Sequence, residues 1–392
     1  MARIAIVHVP FYSHVEALRR LTRVLVRQGH DVLVWAPEWW RTPIEAEGCV
    51  FYPHEPEMPD TTGFMSFVAD LAETTEECTG LLIEQLFAED VDLVIHDSQV
   101  PWARVAGDYL GLPRIVTHPM FPIVSPEHSV TDDDEDDREE ESAEEREKAQ
   151  AVFDARWLSV AGKWGVELGD LDSVIHTAGI SDTTVAFTTE EMVGDFELGP
   201  GWHFVGPLMD EAPPSEPTDG RPLVYVCLGT SFNTRRKVFR AAIDGLADVP
   251  VDVLVSTGMG KFSAADLEPL PDNVEVRDFV KTREVLARAR LHMTHGGCNS
   301  VHESLLAGVP MLFVPQAYDQ FPLAARVERL GAGLIVEETA AAVCAGARWL
   351  VEDEGVHARA RELGAHLASY DGEGRVAALI GRMLAENAAL SA

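Results

Sequence analysis

Two Rossmann-like α/β halves, each built on a parallel sheet, are what this sequence predicts, and three observations carry that expectation. Strand-length apolar runs alternate with amphipathic helix-length segments along most of the chain. A polar, aperiodic stretch with four prolines, Pro213 to Pro222, interrupts the alternation near its middle. At 392 residues and 46% hydrophobic content, the chain has the length for two domains and the apolar residues for two cores.

The elements follow in order. Residues 3–9 read as a first buried strand. The loop Pro10 to His14 leads into an amphipathic helix marked by Leu18, Leu21, Val24 and Leu25 and ended by Gly29. Asp31 to Ala36 is a second strand, which completes a βαβ unit of a parallel sheet. A helix is predicted over 64–87, a buried strand over Val91 to Asp97, a helix from Pro101 to Gly111, and a strand over Arg114 to His118. Residues 132–147 hold twelve acidic residues against two arginines. Such a block repels itself and cannot bury a core. Its first half is expected to be a surface loop, and its second half to grade into a helix through Ala151 to Leu168. It lacks the spacing and turn glycine of an EF-hand. Thr183 to Phe187 and Trp202 to Pro207 close the first half.

The second half opens on the buried strand Leu223 to Thr230. Helix 235–247, strands 251–256 and 274–279, and helix 282–289 continue the alternation. Two helical patterns near 339–352 and 355–369 follow the central motif, and a last one follows Asp371 to Gly374. The expected boundaries are an N-terminal half over 1–207, a linker over 208–222, a C-terminal half over 223–375 and a final helix over 376–392.

Charge and cysteine usage exclude several classes. The formal net charge of −34 argues against nucleic acid and against an anionic membrane surface, since both require basic patches. The five cysteines stand singly, at no metal-ligand or disulfide-framework spacing, and fit a reducing cytosol. No apolar run is long enough to span a bilayer. The opening Met-Ala-Arg-Ile-Ala-Ile-Val reads as a strand rather than a signal peptide. A cytoplasmic protein is expected.

The stretch Leu291 to Gln320 concentrates the chemistry. Leu291 to Thr294 suits a buried strand, His295-Gly296-Gly297 a side-chain-poor turn, and Asn299 to Ala307 a helix with a C-cap glycine at Gly308 and a stop at Pro310. Met311 to Val314 is the next buried strand. A helix that begins at a Gly-Gly turn presents free N–H groups and its positive dipole end, which is an anion site, most naturally for phosphate. Thr230 and Ser231, in the turn after Leu223 to Leu228, are candidate phosphate-side contacts across a cleft. His14 and Asp97 also follow strands, and ligands of open α/β sheets lie beyond such strand ends. An imidazole can accept an acceptor hydroxyl's proton, and a carboxylate can fix its tautomer. Each residue also has a plain reading, His14 at a helix start and Asp97 as cap of the helix from Pro101.

His295-Gly-Gly-Cys-Asn-Ser-Val-His-Glu303, Gly308-Val-Pro310, Pro315 and Asp319-Gln320 resemble, in order and spacing, the sugar-nucleotide signature of family 1 glycosyltransferases of the GT-B fold, many of which modify natural products. The resemblance implies two Rossmann-like domains facing each other across a cleft, with the final helix crossing back onto the N-terminal one. It implies His14 as catalytic base assisted by Asp97. It places His295 on the donor diphosphate, Gly297, Asn299 and Ser300 on the other phosphate, Glu303 on the ribose hydroxyls, and Asp319 and Gln320 on the sugar. Phe279 occupies the place of a base-flanking aromatic, with Val280 beside it, although plain core is an equal reading. The donor expected is a UDP- or dTDP-linked sugar, a co-substrate rather than a cofactor, with no metal required. The acceptor expected is a small apolar natural product such as a polyketide, macrolide or phenol. Phe64, Phe67, Trp39, Trp40, Met120 and Phe121 are candidates for its pocket. A homodimer is left open, with no nucleic-acid or stable membrane partner.

This sequence departs from the family in two places. The first loop reads Phe11-Tyr-Ser-His14-Val-Glu-Ala17, without the usual glycine and Asn-Pro, and Leu323 stands where Asn often follows the Asp-Gln pair. Other readings on the same fold are a sugar-nucleotide 2-epimerase, a lipid-linked cell-wall precursor transferase and a non-catalytic auxiliary protein.

Overall fold

The computed structural model describes residues 1–57, 64–122, 142–169, 183–194, 198, 201–209, 220–230, 233, 235–258 and 262–390. Two parallel sheets organise the chain. The first has the order β3-β2-β1-β4-β5-β6-β7, with β1 Arg3–Val7, β2 Asp31–Ala36, β3 Val50–Pro53, β4 Leu93–Asp97, β5 Arg114–His118, β6 Thr183–Ala186 and β7 Trp202–Phe204. The second has the order β10-β9-β8-β11-β12-β13, with β8 Leu223–Cys227, β9 Asp252–Ser256, β10 Val274–Arg277, β11 Ala289–Thr294, β12 Met311–Phe313 and β13 Gly333–Ile335. Every pairing is parallel.

The strands are apolar on both faces because helices cover both faces of a parallel sheet. Along β1 the period of two is visible: Ile4 and Ile6 enter one core, Ala5 and Val7 the other. Along β12, Leu312 enters one core and Met311 and Phe313 the opposite one. In each sheet the strand order reverses once, between β1 and β4 and between β8 and β11. A crevice opens at such a reversal, beyond the carboxyl ends of the strands.

The two halves are packed together. Phe121, Met192 and Val193 from the first half share a buried cluster with Val301, Leu305, Leu323 and Val327 from the second. Arg326 donates from Nε and Nη2 to the carbonyl of Glu191. The last helix, Gly372–Leu390, places Val376, Leu379 and Ile380 in the core beneath β1 and β2.

Several local expectations are corrected. The first strand ends at Val7, and the helix Tyr12–Arg27 begins early enough to take in His14, because the carbonyl of the extended Phe11 accepts the amides of His14 and Val15. The helix expected over 282–289 stops at Leu286, and Ala289 already belongs to β11, drawn into line by pairing with Leu223 of β8. The helix Gln320–Arg329 and the strands β3 and β13 were not expected. The strands are only four and three residues long, too short for a periodicity signal. Asp97 does not cap the helix Pro101–Leu110, whose N-cap is Val100 with no side-chain cap. Within the second half of the acidic run, the helix Ala143–Trp164 starts at a capping box formed by Ser142 and Glu145. Residues 132–141 of that run and 210–219 of the expected linker lie outside the described residues.

Candidate active site

Parallel pairing brings the first constellation together. β1 and β4 are neighbours in register, Val7 beside His96, so their carboxyl ends lie side by side at the reversal. Asp97 closes β4, and His14 stands in the first helical turn after β1. Nδ1 of His14 is 2.8 Å from Oδ2 of Asp97, and both residues are buried. Asp97 Oδ1 accepts the Gln99 amide at 2.8 Å. Burial raises the Asp97 carboxyl, but the His14 charge and hydrogen bond and the Gln99 amide outweigh it, and the net shift is below the ordinary value. Asp97 is therefore a carboxylate and can only accept, so the proton of a neutral His14 resides on Nδ1 and its Nε2 carries a lone pair. His96 turns its Nδ1 to the carbonyl of Asp97, at 2.9 Å, and is fully buried.

The second constellation surrounds the other reversal. The helix Cys298–Leu306 starts on Gly297, which is extended and caps it with no side chain. Its first amides are thus available to an anion. The backbone wraps closely around His295: a Cβ on Gly297 would lie 2.6 Å from its Nε2, and one on Gly229, at φ +77°, 2.8 Å from its Cε1. Burial pushes His295 down to about 4, so near neutral pH the ring is neutral and can offer one N–H as a hydrogen-bond donor. Thr230 is half-buried in the turn after β8, and Ser231 lies outside the described residues. Ser300 is half-buried in the first helical turn. Val280 is buried, whereas Phe279 is 51% exposed, which removes the plain-core reading of that aromatic.

Three of the expected donor residues reach beyond the donor half. Asn299 Nδ2 donates to the carbonyl of Ser13, at 3.2 Å, immediately before His14. Asp319 Oδ2 accepts the amide of Phe121 at 3.0 Å. Glu303 Oε1 lies 4.0 Å from Nη2 of Arg20. Burial pushes the Glu303 carboxyl up to about 7, with Arg20 foremost among the charges opposing it. Burial likewise pushes Asp319 up to about 6, against the Phe121 hydrogen bond. Gln320 Oε1 accepts the amides of Gln316 and Ala317, so its NH₂ group is the part left for a ligand.

The aromatic candidates divide. Trp40 belongs to the N-terminal core and Phe121 to the cluster between the halves, so neither is a pocket residue. Phe67 is half-buried against the core, Met120 is half-buried, Trp39 is exposed, and the side chain of Phe64 lies outside the described residues. Sequence reasoning missed Gln316, whose buried amide atoms have no hydrogen-bond partner among the described residues, and Arg20, which periodicity alone places on a helix face. Among the described residues no group of three His, Cys, Asp or Glu side chains is suited to a metal, and no helix is long and apolar enough to cross a membrane.

Comparison with known proteins places these features in context. Residues 240–379 match the C-terminal domain family of the erythromycin biosynthesis protein CIII-like proteins. The chain is 29% identical over 374 residues to the demethyllactenocin mycarosyltransferase of Streptomyces fradiae, covering 85% of this chain and 75% of that protein. It is 28% identical over 394 residues to the oleandomycin glycosyltransferase of Streptomyces antibioticus, covering 97% and 90%. The crystal structure of the kitacinnamycin glycotransferase superposes with a TM-score of 0.79 at 22% identity, covering 97% of this chain and 98% of that one, and shares its fold.

Proposed function

Because the chain is a family 1 glycosyltransferase of the GT-B fold and natural-product type, we propose that it moves a sugar from a nucleoside-diphosphate donor to a hydroxyl of a small natural product, with inversion at the anomeric carbon. His14 Nε2 takes the hydroxyl proton as the acceptor oxygen attacks C1 of the sugar. Asp97 keeps the other ring proton on Nδ1 and stabilises the imidazolium that forms. The bond from C1 to the diphosphate oxygen breaks in the same step, and a single displacement inverts the centre. The departing charge is received by the uncapped amides at the start of Cys298–Leu306 and by His295 as a donor. Glu303 takes ribose hydroxyls, Asp319 and Gln320 take sugar hydroxyls, and the exposed Phe279 with Val280 flanks the base of a UDP- or dTDP-linked donor.

The observation that carries this reading is the buried 2.8 Å pair of His14 and Asp97 at one strand reversal. The Asn299 to Ser13 hydrogen bond supports it by tying the helix of that pair to the helix at the other reversal. The macrolide names of the relatives support a polyketide-type acceptor.

The test is a panel of macrolide and phenolic acceptors with UDP-glucose and a dTDP-sugar, read by mass spectrometry. The expected product is the acceptor plus one sugar. His14→Ala should then lower the transfer rate by about 10²–10⁴-fold while UDP still binds. A wild-type rate in that variant removes His14 as the base, and turnover of the donor sugar without acceptor favours the epimerase reading instead.

A further inference from the structure

The first helix carries a second constellation beside His14. Tyr12, Glu16 and Arg20 stand at successive i, i+4 positions and so form one stripe along Tyr12–Arg27. Arg20 is only 7% exposed. Among the described residues its Nε has no hydrogen-bond partner, and its Nη2 lies 3.3 Å from Glu16 Oε1, an i, i+4 ion pair, and 4.0 Å from Glu303 Oε1, at the outer limit of a salt bridge. A guanidinium has five donors in a fixed fork and is costly to bury with a donor unused. Glu303 comes from the other half, one helical turn beyond Asn299, which already touches Ser13. The two helices therefore face each other through Ser13 with Asn299 and through Arg20 with Glu303.

We propose that Arg20 is a positioning residue for the donor: it closes onto Glu303 across the cleft when a nucleoside diphosphate is bound, and so holds both the ribose-side carboxylate and the helix that carries His14. The proposal rests on the reading of Glu303 as a ribose contact. A forked pair forms at about 2.7–2.9 Å, so a movement of about 1 Å between the halves completes it. The groups that face Glu303 are Arg20, Glu16 and Tyr12 on the first helix, Arg283 on Thr282–Leu286 and Cys227 on β8. Of these, Arg20 does most to keep the carboxyl ionised. A neutral Glu303 loses both its charge for Arg20 and acceptor capacity for the ribose, so donor affinity falls as pH drops through about 7.

UDP and dTDP binding by calorimetry between about pH 6 and 8.5, with donor and acceptor KM from the transfer assay, tests the proposal. Arg20→Gln should weaken nucleotide binding and raise donor KM by about ten-fold, leave acceptor KM unchanged, and move the pH midpoint of binding upward. Arg20→Lys should restore the midpoint, since the charge returns, but not the full affinity, since the fork does not. In a Glu303→Gln background, Arg20→Gln should add no further loss. An Arg20→Gln protein with wild-type donor KM and pH profile overturns the proposal, as does a loss that persists undiminished without the Glu303 carboxylate. Wild-type UDP affinity in Glu303→Gln overturns the ribose reading, and the proposal with it. If Arg20→Gln does not fold, Arg20→Lys decides: a raised donor KM at constant acceptor KM supports the pair, and an unchanged donor KM overturns it.

Discussion

At Gly229 the backbone turns at φ +77° directly against the imidazole of His295. Both facts exclude a side chain: the conformation strains any L residue, and the ring occupies the space a Cβ needs. Gly229→Ala is therefore expected to cost about 1–3 kcal/mol of stability and to displace His295. The displacement separates this from a simple folding defect. In protein that remains folded, UDP affinity should drop while the His14–Asp97 pair, in the other half, is untouched. Retained affinity at reduced Tm would show that His295 does not hold the donor. The same residue-scale logic explains why His295 is neutral: its burial disfavours the imidazolium.

At the scale of elements, the helix Gln320–Arg329 begins where two strained features meet. Tyr318 adopts φ +50°, and the next residue, Asp319, is buried with its carboxyl raised to about 6. A folded-state pKa above the unfolded value of 3.8 means that the native protein binds the proton more tightly. Stability linked to Asp319 is thus greatest at acid pH and is lost as pH rises through the window from about 4 to 6. Asp319→Asn keeps an oxygen for the Phe121 amide and removes the buried charge. It should raise Tm by a few degrees at pH 8 and hardly change it near pH 4, as thermal denaturation at the two pH values would show. An equal effect at both would mean that the carboxylate is not destabilising. Glu303, raised to about 7, adds a drift of the same sign over a higher window.

At the scale of the molecule, the chain returns to its starting point. Val376, Leu379 and Ile380 of Gly372–Leu390 are 2%, 4% and 1% exposed, in one core with Ile4, Leu18 and Val34. Burial of such side chains stabilises by about 1.5–3 kcal/mol each, so the three together rival the net stability of a domain. Removing residues 372–392 should uncover the first sheet, and hydrogen exchange should show β1 and β2 deprotected before the strands of the second sheet. Equal loss in both sheets would mean that the halves unfold as one unit. This helix and the Phe121 cluster are two separate ties between halves that share a cleft, and they limit how far that cleft can open.

The alternation of apolar strands and amphipathic helices was legible from the chain alone, because periodicity is a local consequence of covering both faces of a parallel sheet. The stretch His295 to Gln320 was equally legible, since a glycine turn before a helix is local chemistry whatever surrounds it. Short edge strands such as β3 and β13 were not, because neighbouring strands rather than their own pattern hold them. Nor did the sequence show that His14 and Asp97, 83 residues apart, come within 2.8 Å, although the family resemblance pointed to the pair. That distance follows from the parallel register of β1 and β4. The contacts of Asn299, Asp319, Arg20 and Glu303 at the junction likewise emerge only in three dimensions. Contacts between halves depend on how two separately patterned sheets dock, and burial across that junction, not residue type, sets the charge of Glu303 and Asp319.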